Sequence, residues 1–384
     1  MDLDLSGEHA SLRQTVRAYM AAEVAPVVDA HERERRFPVE IVRRIGEMGW
    51  LGIPIAERWG GAGMDTLAYA VAIEEIARVW GSLALIVAAH TSLACGGLVL
   101  GGTDEQRDAF LTPMASGQVI GGYGLTEPGA GSDASGTRTT ARSDGDGWVI
   151  DGAKRFITNA GQAGTYVVAA RTGTSTDGRA QVGAFVVPAD TPGFSVGRLE
   201  EKLGLHASAT GELHFDGVRV PEGNVLGDPA GGFRLFLRIL DGGRISIGAL
   251  ALGLAQAALD AAIPYVRERK QFGRPIGSFE AVAFRIADMA TEIEAARALV
   301  YRAAWLRDQG RDFGLAAAQA KLFASEVASR ATNAALLSHG GYGYVDDYPV
   351  GRFLRDAKLT EIGEGTSDIQ RLVIARQVLD LRVS

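Results

Sequence analysis

The chain has 384 residues, 47% apolar and 22% charged, the composition of an ordinary globular protein; a disordered or fibrous chain is excluded. A formal net charge of −7 argues against nucleic acid or an anionic membrane as the main partner. The single cysteine, Cys95, allows no intrachain disulfide and fits a reducing compartment, so a cytoplasmic protein is expected.

Residues 1–118 read as helical. The N-terminal segment is acidic and lacks the basic and apolar regions of a signal peptide. Leu12, Val16, Tyr19 and Met20 share one face of a helix, as do Ile41, Ile45 and Met48. The most apolar stretch, Leu83 to Gly102, is broken by His90, Thr91, Ser92 and glycines, which predicts a buried helix and not a membrane span. Residues 119–228 change character. Short β-rich runs (Trp148 to Ile150, Tyr166 to Val168, Ala184 to Val187) alternate with Asp-Gly and Pro-Gly turns, which predicts a small antiparallel sheet or barrel. Residues 229–384 are helical again. Phe279, Val282, Ile286, Met289, Ile293, Ala296 and Val300 recur at spacings of three and four, the stripe of a long bundle helix. An alanine-rich helix is predicted from Asp312 to Ser338, and a last helix starts near Ser367, where Ser367 and Gln370 have capping-box spacing. The predicted fold is mainly α with a central β-domain, flanked by a helical N-terminal domain and a C-terminal helical bundle.

Several common chemistries are missing. There is no GxxxxGK[ST] phosphate loop and no GxSxG nucleophile elbow. The Gly129 to Gly136 string lacks the GxGxxG spacing and precedes a β-rich zone. The six histidines form no pair with metal-ligand spacing, so no metal site is expected. Two loops are more informative. Tyr123 to Asp133 puts hydroxyls and bare glycine backbone at the end of a strand; it reads either as an irregular surface turn or as amide groups presented to a flat polar ring or a phosphate. In Glu361 to Gln370, Glu364 stands between two glycines just before a helix. It is either a solvated loop glutamate or a carboxylate that loses hydration and acts as a base. Asp368, in the first turn, is equally explained by the helix dipole.

Seven strings in order, YGLTEPGAGSDASG (123–136), KRFITNAG (154–161), LDGGRISIG (240–248), RERKQFGRPIGSFEAV (267–282), HGGYGY (339–344), RDAKL (355–359) and EGTSDIQRLVIAR (364–376), give the chain a resemblance to the acyl-CoA dehydrogenase family over nearly its whole length. The resemblance implies a helical N-domain, a central β-domain, a C-terminal four-helix bundle and one FAD per subunit. It implies α,β-dehydrogenation of an acyl thioester, on coenzyme A or on an acyl carrier protein, to the trans-2-enoyl thioester. Glu364 then matches the base, whose backbone N–H and a flavin ribityl hydroxyl bind the thioester carbonyl. Tyr123, Leu125, Thr126, Phe156, Ile157 and Thr158 match positions lining the flavin ring, and Ser132 one between flavin and pantetheine. Arg269, Gln271 and Phe272 match the segment that reaches a neighbouring subunit's FAD; Gly340, Gly341, Thr366 and Asp368 match further cofactor positions. Asp241, Arg244, Gly363 and Gly365 match positions near the substrate. By the residues alone, Phe156 and Ile157 read equally as sheet core and Arg244 as half of an ion pair. The resemblance also implies a homo-oligomer, as a dimer of dimers, and electron-transfer flavoprotein as acceptor.

The departures from the family pattern carry information too. Gly363 stands where many straight-chain members have an aromatic, and Gly243 where a minority place their base. Both glycines are expected to leave space for a branched or bulky acyl group. Leu337 replaces a glutamine that often contacts the FAD diphosphate or ribose, and the loop His206 to Thr210 lacks its usual middle polar residue. A flavin monooxygenase or nitroalkane-oxidising relative is the alternative on the same fold, disfavoured because Glu364 is present. A DNA-associated member is disfavoured by the acidic charge and the lack of a basic block.

Overall fold

The computed structural model describes residues 5–176, 178–381 and 383. The N-terminal part is built on the helices Gly7–Tyr19, Val39–Glu47, Thr66–Val79 and Gly81–Gly101. Two begin with side-chain caps. Ser6 accepts from the His9 N–H at 3.3 Å and Asp65 from the Ala68 N–H at 2.7 Å, each satisfying an orphan donor of the first turn. Gly81–Gly101 is the apolar helix expected from the sequence. It is buried in the protein core, and its turns widen to π-type spacing over Ala89–Cys95.

The middle part contains strands β1 (Gly121–Gly124), β2 (Thr140–Ser143), β3 (Gly147–Thr158), β4 (Thr165–Thr174), β5 (Ala180–Pro188), β6 (Phe194–Leu199) and β7 (Thr210–Pro221). They form a single sheet in the order β1-β4-β2-β3-β7-β6, with β5 added against β4. The pairing is not purely antiparallel as expected. β1 and β2 each run parallel to β4, because the chain leaves through the β2–β3 excursion before it returns. β3 carries a register shift between Lys154 and Ile157, which breaks the alternation of its side chains at the end nearest the helices.

The C-terminal part consists of the helices Gly232–Glu268, Glu280–Asp308, Gly314–His339, Val350–Ile362 and Ser367–Leu379. The predicted stripe on Glu280–Asp308 is buried at Met289, Ile293, Ala296 and Val300, while Phe279, Val282 and Ile286 stay half-exposed at the N-terminal end. Gly232–Glu268 is the central rod. At Gly253 a Cβ would overlap the Glu74 carbonyl, so only glycine lets the Thr66–Val79 helix lie this close.

Three apolar clusters follow from this packing. One joins the N-terminal helices to the C-terminal bundle, a second joins Gly81–Gly101 and Gly232–Glu268 to one face of the sheet, and the third lies within the sheet. A buried polar junction links all three parts. Glu32 accepts from the Trp80 indole at 2.6 Å, from Ser82 and from the His206 N–H at 2.9 Å, while Asp356 accepts from the Leu205 N–H at 2.6 Å. The two carboxylates sit close enough that burial, and then Glu32, raise Asp356 to about 7.

Candidate active site

Glu364 lies in the four-residue connection between Val350–Ile362 and Ser367–Leu379. Its backbone is left-handed (φ 52°), a conformation that costs a non-glycine residue on the order of 1–3 kcal/mol. The surrounding bonds hold it there. The Gln370 amide donates to the Glu364 carbonyl at 3.3 Å and to the Gly365 carbonyl at 3.0 Å, and Lys321 Nζ donates to the Gly365 carbonyl at 2.6 Å. The expected Ser367/Gln370 capping box is displaced by one residue. Thr366 is the N-cap, accepting from the Ile369 N–H at 3.2 Å, which frees Gln370 to brace the loop.

The carboxyl points into the protein against Gly243. A Cβ on Gly243 would overlap Glu364 Oε2 and stand 2.8 Å from Leu93 Cδ2. The space expected beside Gly243 is therefore occupied by the Glu364 carboxyl. At Gly363 the expectation differs in outcome, since a Cβ there would meet only Leu359, at 3.4 to 3.6 Å. Glu364 Oε2, Arg244 Nε and the Tyr69 hydroxyl are all buried without a well-formed hydrogen bond. Tyr69 lies beside Ser92 and Thr91 in the widened helix, and it and Tyr123 are within electrostatic reach of Glu364. Buried polar atoms are nearly always paired, so an orphaned carboxylate oxygen with two further orphans near it marks a place built for a ligand. Burial pushes the Glu364 carboxyl up to about 7, with Lys321 and Arg244 pulling against it. Arg244 is also ion-paired with Asp241, the structural reading of its sequence, while lying within electrostatic reach of Glu364.

The β-domain contributes the loop 123–139 and the end of β3. Glu127 organises this loop. It accepts from Lys154 Nζ at 2.7 Å, from Thr137 at 2.5 Å, and from the Arg138 and Thr139 N–H groups at 2.7 and 3.0 Å. Lys154 also donates to the Leu125 carbonyl at 3.1 Å, and the Arg155 N–H to the Thr126 carbonyl at 2.8 Å, so Leu125 and Thr126 are locked edge-on to β3. Burial works to raise the Glu127 carboxyl, but Lys154 and these donors hold it down to about 2. Sequence reasoning missed both residues, because a Glu and a Lys 27 positions apart carry no local signal.

Phe156 and Ile157 separate. Ile157 is 2% exposed within the sheet core, whereas Phe156 is 58% exposed with φ 59°. Neighbours in a strand face opposite ways, and the bulge shifts the phase so that Ile157, not Phe156, continues the buried side of Ile150 and Lys154. Thr158 is half-buried, and Asn159 after it ties β3 to the Ile86 and Gly121 carbonyls at 3.2 and 3.1 Å. Tyr123 packs its ring on Phe236, with its hydroxyl 3.4 Å from the Phe236 carbonyl. Ser132 is exposed on a loop where Gly129 and Gly131 have open space around them.

A second concavity, of about 580 Å³, lies at the other end of the bundle. Arg269, Gln271, Leu337, Gly340, Gly341 and Tyr342 are among its lining residues. Arg269 stacks on Tyr342 at 5.4 Å, and Phe272 beside it is 93% exposed. These segments are distant in sequence but converge here. Thr366 stands apart from this cavity, its hydroxyl capping the Ser367–Leu379 helix, and Asp368 is exposed in the first turn of that helix.

Family models for the acyl-CoA dehydrogenase N-terminal, middle and C-terminal domains match residues 6–118, 122–218 and 230–379. The probable acyl-CoA dehydrogenase YngJ of Bacillus subtilis is 52% identical, covering 99% of this chain and 100% of its own length. The short-chain specific acyl-CoA dehydrogenase of Clostridium acetobutylicum is 46% identical, covering 98% and 100%. Among solved structures, butyryl-CoA dehydrogenase from Megasphaera elsdenii superposes with a TM-score of 0.96 at 40% identity, covering 99% of this chain and 100% of that one. A chain in a structure of the electron transferring flavoprotein of Acidaminococcus fermentans also reaches 0.96, at 42% identity and the same coverage. A glutaryl-CoA dehydrogenase from Mycobacterium smegmatis, in complex with FADH2, reaches 0.93 at 29% identity, covering 99% and 96%.

Proposed function

The chain belongs to the acyl-CoA dehydrogenase family and is a flavoprotein oxidoreductase of that kind, and on this premise we propose that it binds FAD and desaturates a short acyl-CoA with Glu364 as the base. The observation that carries the assignment of the base is the buried, unpartnered Glu364 Oε2, held by a braced and strained loop beside two further orphaned polar atoms. A base works best with a pKa near the operating pH, and a carboxyl raised to about 7 meets that condition. Glu364 takes the proton from the substrate α-carbon. Its own backbone N–H donates to the thioester carbonyl and stabilises the charge that develops there. FAD, when bound, supplies the acceptor for the β-hydride. The product is the trans-2-enoyl thioester.

The residues present fit the cofactor. The Glu127–Lys154 clamp and the Arg155 N–H hold the Leu125–Thr126 backbone against β3, next to the exposed Phe156. The cavity lined by Arg269, Gln271, Gly340 and Gly341 offers an arginine, an amide and bare glycine backbone to the polar part of an FAD. We assign that cavity to the FAD of a neighbouring copy, because Phe272, Leu337 and Tyr344 around it are exposed apolar residues in the single chain. A homo-oligomer, with the site completed by its partner, follows. We further propose electron-transfer flavoprotein as acceptor and, from the open side of Gly363, tolerance of a branched or bulky acyl group.

The experiment is anaerobic reduction of the bound flavin by butyryl-CoA in the wild type and in Glu364→Gln. The amide keeps the shape and cannot accept a proton at neutral pH, so flavin content should persist while reduction falls by several powers of ten. Near-normal reduction in the variant would place the base elsewhere.

A further inference from the structure

Lys321 is completely buried in the N-terminal third of the Gly314–His339 helix, at the level where Gly248 of the central rod packs against its backbone. A buried ammonium is costly unless something repays its lost hydration. Among the described residues it forms no ion pair within 4 Å; its hydrogen bond goes to the Gly365 carbonyl, at 2.6 Å. The acidic groups it feels are Glu364 and, more weakly, Glu361. Glu361 is already bonded to Lys358 at 3.0 Å. The charge of Lys321 therefore faces the loop that carries Glu364.

We propose that Lys321 is a positioning residue for the reaction: its ammonium anchors the Gly365 carbonyl, fixes the Glu364 loop, and keeps the Glu364 carboxyl ionised and ready to take a proton. This rests on Glu364 being the base. The groups facing that carboxyl from each surrounding element are Tyr69 from Thr66–Val79, Tyr123 from β1, Arg244 from Gly232–Glu268 and Lys321 from Gly314–His339, while Glu361, at the end of Val350–Ile362, acts on Lys321. The tyrosines are neutral, their burial raising them above their ordinary value. Arg244 is offset by its own partner, Asp241. Lys321 is left as the uncompensated cation, and a buried cation near a carboxylate favours its charged form. Burial has already lifted Glu364 to about 7; without Lys321 it rises further and is protonated at neutral pH.

The test uses the full-length flavin-loaded protein as wild type, Lys321→Met, Lys321→Gln and Lys321→Arg. One readout needs no turnover: infrared difference titration of the protonated Glu364 carboxyl band, identified by its loss in Glu364→Gln. The second is the pH profile of anaerobic flavin reduction by butyryl-CoA. Lys321→Met should move both midpoints upward by about one to two pH units, the effect of a nearby opposite charge. Below the wild-type midpoint, reduction should slow roughly ten- to a hundredfold and recover as the pH is raised. Lys321→Arg should restore most of the midpoint. Lys321→Gln keeps a donor without the charge, so it gives the answer if the methionine variant does not fold. Midpoints that stay put, with reduction slowed equally at every pH, overturn the proposal. If Glu364→Gln itself reduces flavin normally, the assignment of the base fails instead.

Discussion

Gly243→Ala separates the packing of the base from the stability of the fold. The added Cβ would overlap Glu364 Oε2, lie 3.2 Å from Glu364 Cδ and 2.8 Å from Leu93 Cδ2. All three are side-chain atoms, so the backbone need not move, but the carboxyl must. Position 243 is interior to the Gly232–Glu268 helix, where alanine is about 1 kcal/mol better than glycine. Overpacking costs typically ~1–3 kcal/mol, so the net change in stability should fall between about zero and 2 kcal/mol of loss. Catalysis has no such offset. A displacement of about 1 Å in a reacting group costs on the order of 10²-fold in rate. The assay pairs thermal unfolding with stopped-flow anaerobic flavin reduction by saturating butyryl-CoA. The expected result is a nearly unchanged Tm with reduction slowed about a hundredfold. Reduction within a few-fold of wild type would refute the reasoning, since it would mean that the carboxyl seen against Gly243 is not the one that reacts.

Gly363→Tyr should be accepted by the fold, because a Cβ there meets only Leu359 at ordinary contact distance. It should depress kcat/KM for branched acyl-CoA more than for straight chains of equal carbon number, by about 1–3 kcal/mol per methyl-sized change; equal losses for both would remove Gly363 from the specificity argument. Asp356→Asn tests the three-way junction. The folded-state pKa is raised from 3.8 to about 7, so between those values the native protein holds a proton that the unfolded chain releases, and wild-type stability falls as pH rises through that window. The asparagine variant lacks this loss, so relative to wild type it should gain as the pH goes from 5 to 8, by up to a few kcal/mol in denaturant unfolding. A pH-independent difference would show that the carboxyl does not carry the proton.

Local signals were enough for the order of the elements and for a glutamate on a loop just before a helix, but by themselves they left Glu364 open between a solvated residue and a base. Alternation of apolar residues, Asp-Gly turns and a Gly-Glu-Gly string before a helix each depend on a few adjacent residues, and so they could be read in one dimension. What lies around the base could not. Arg244, Lys321, Tyr69 and Leu93 reach Glu364 from four different elements, and its burial exists only once those elements pack. A lysine in an alanine-rich helix reads as a solvated face until Gly365 is found 2.6 Å from its ammonium. Gly243 read as empty space because a sequence does not show which neighbour occupies a missing side chain's volume. A regular strand already turns Phe156 and Ile157 to opposite faces, but in phase with the buried Ile150 and Lys154 it would bury Phe156. A bulge between Lys154 and Ile157 sends one side chain to solvent and the other into the core, and bulges are settled by the pairing strand, not by the residues that bulge.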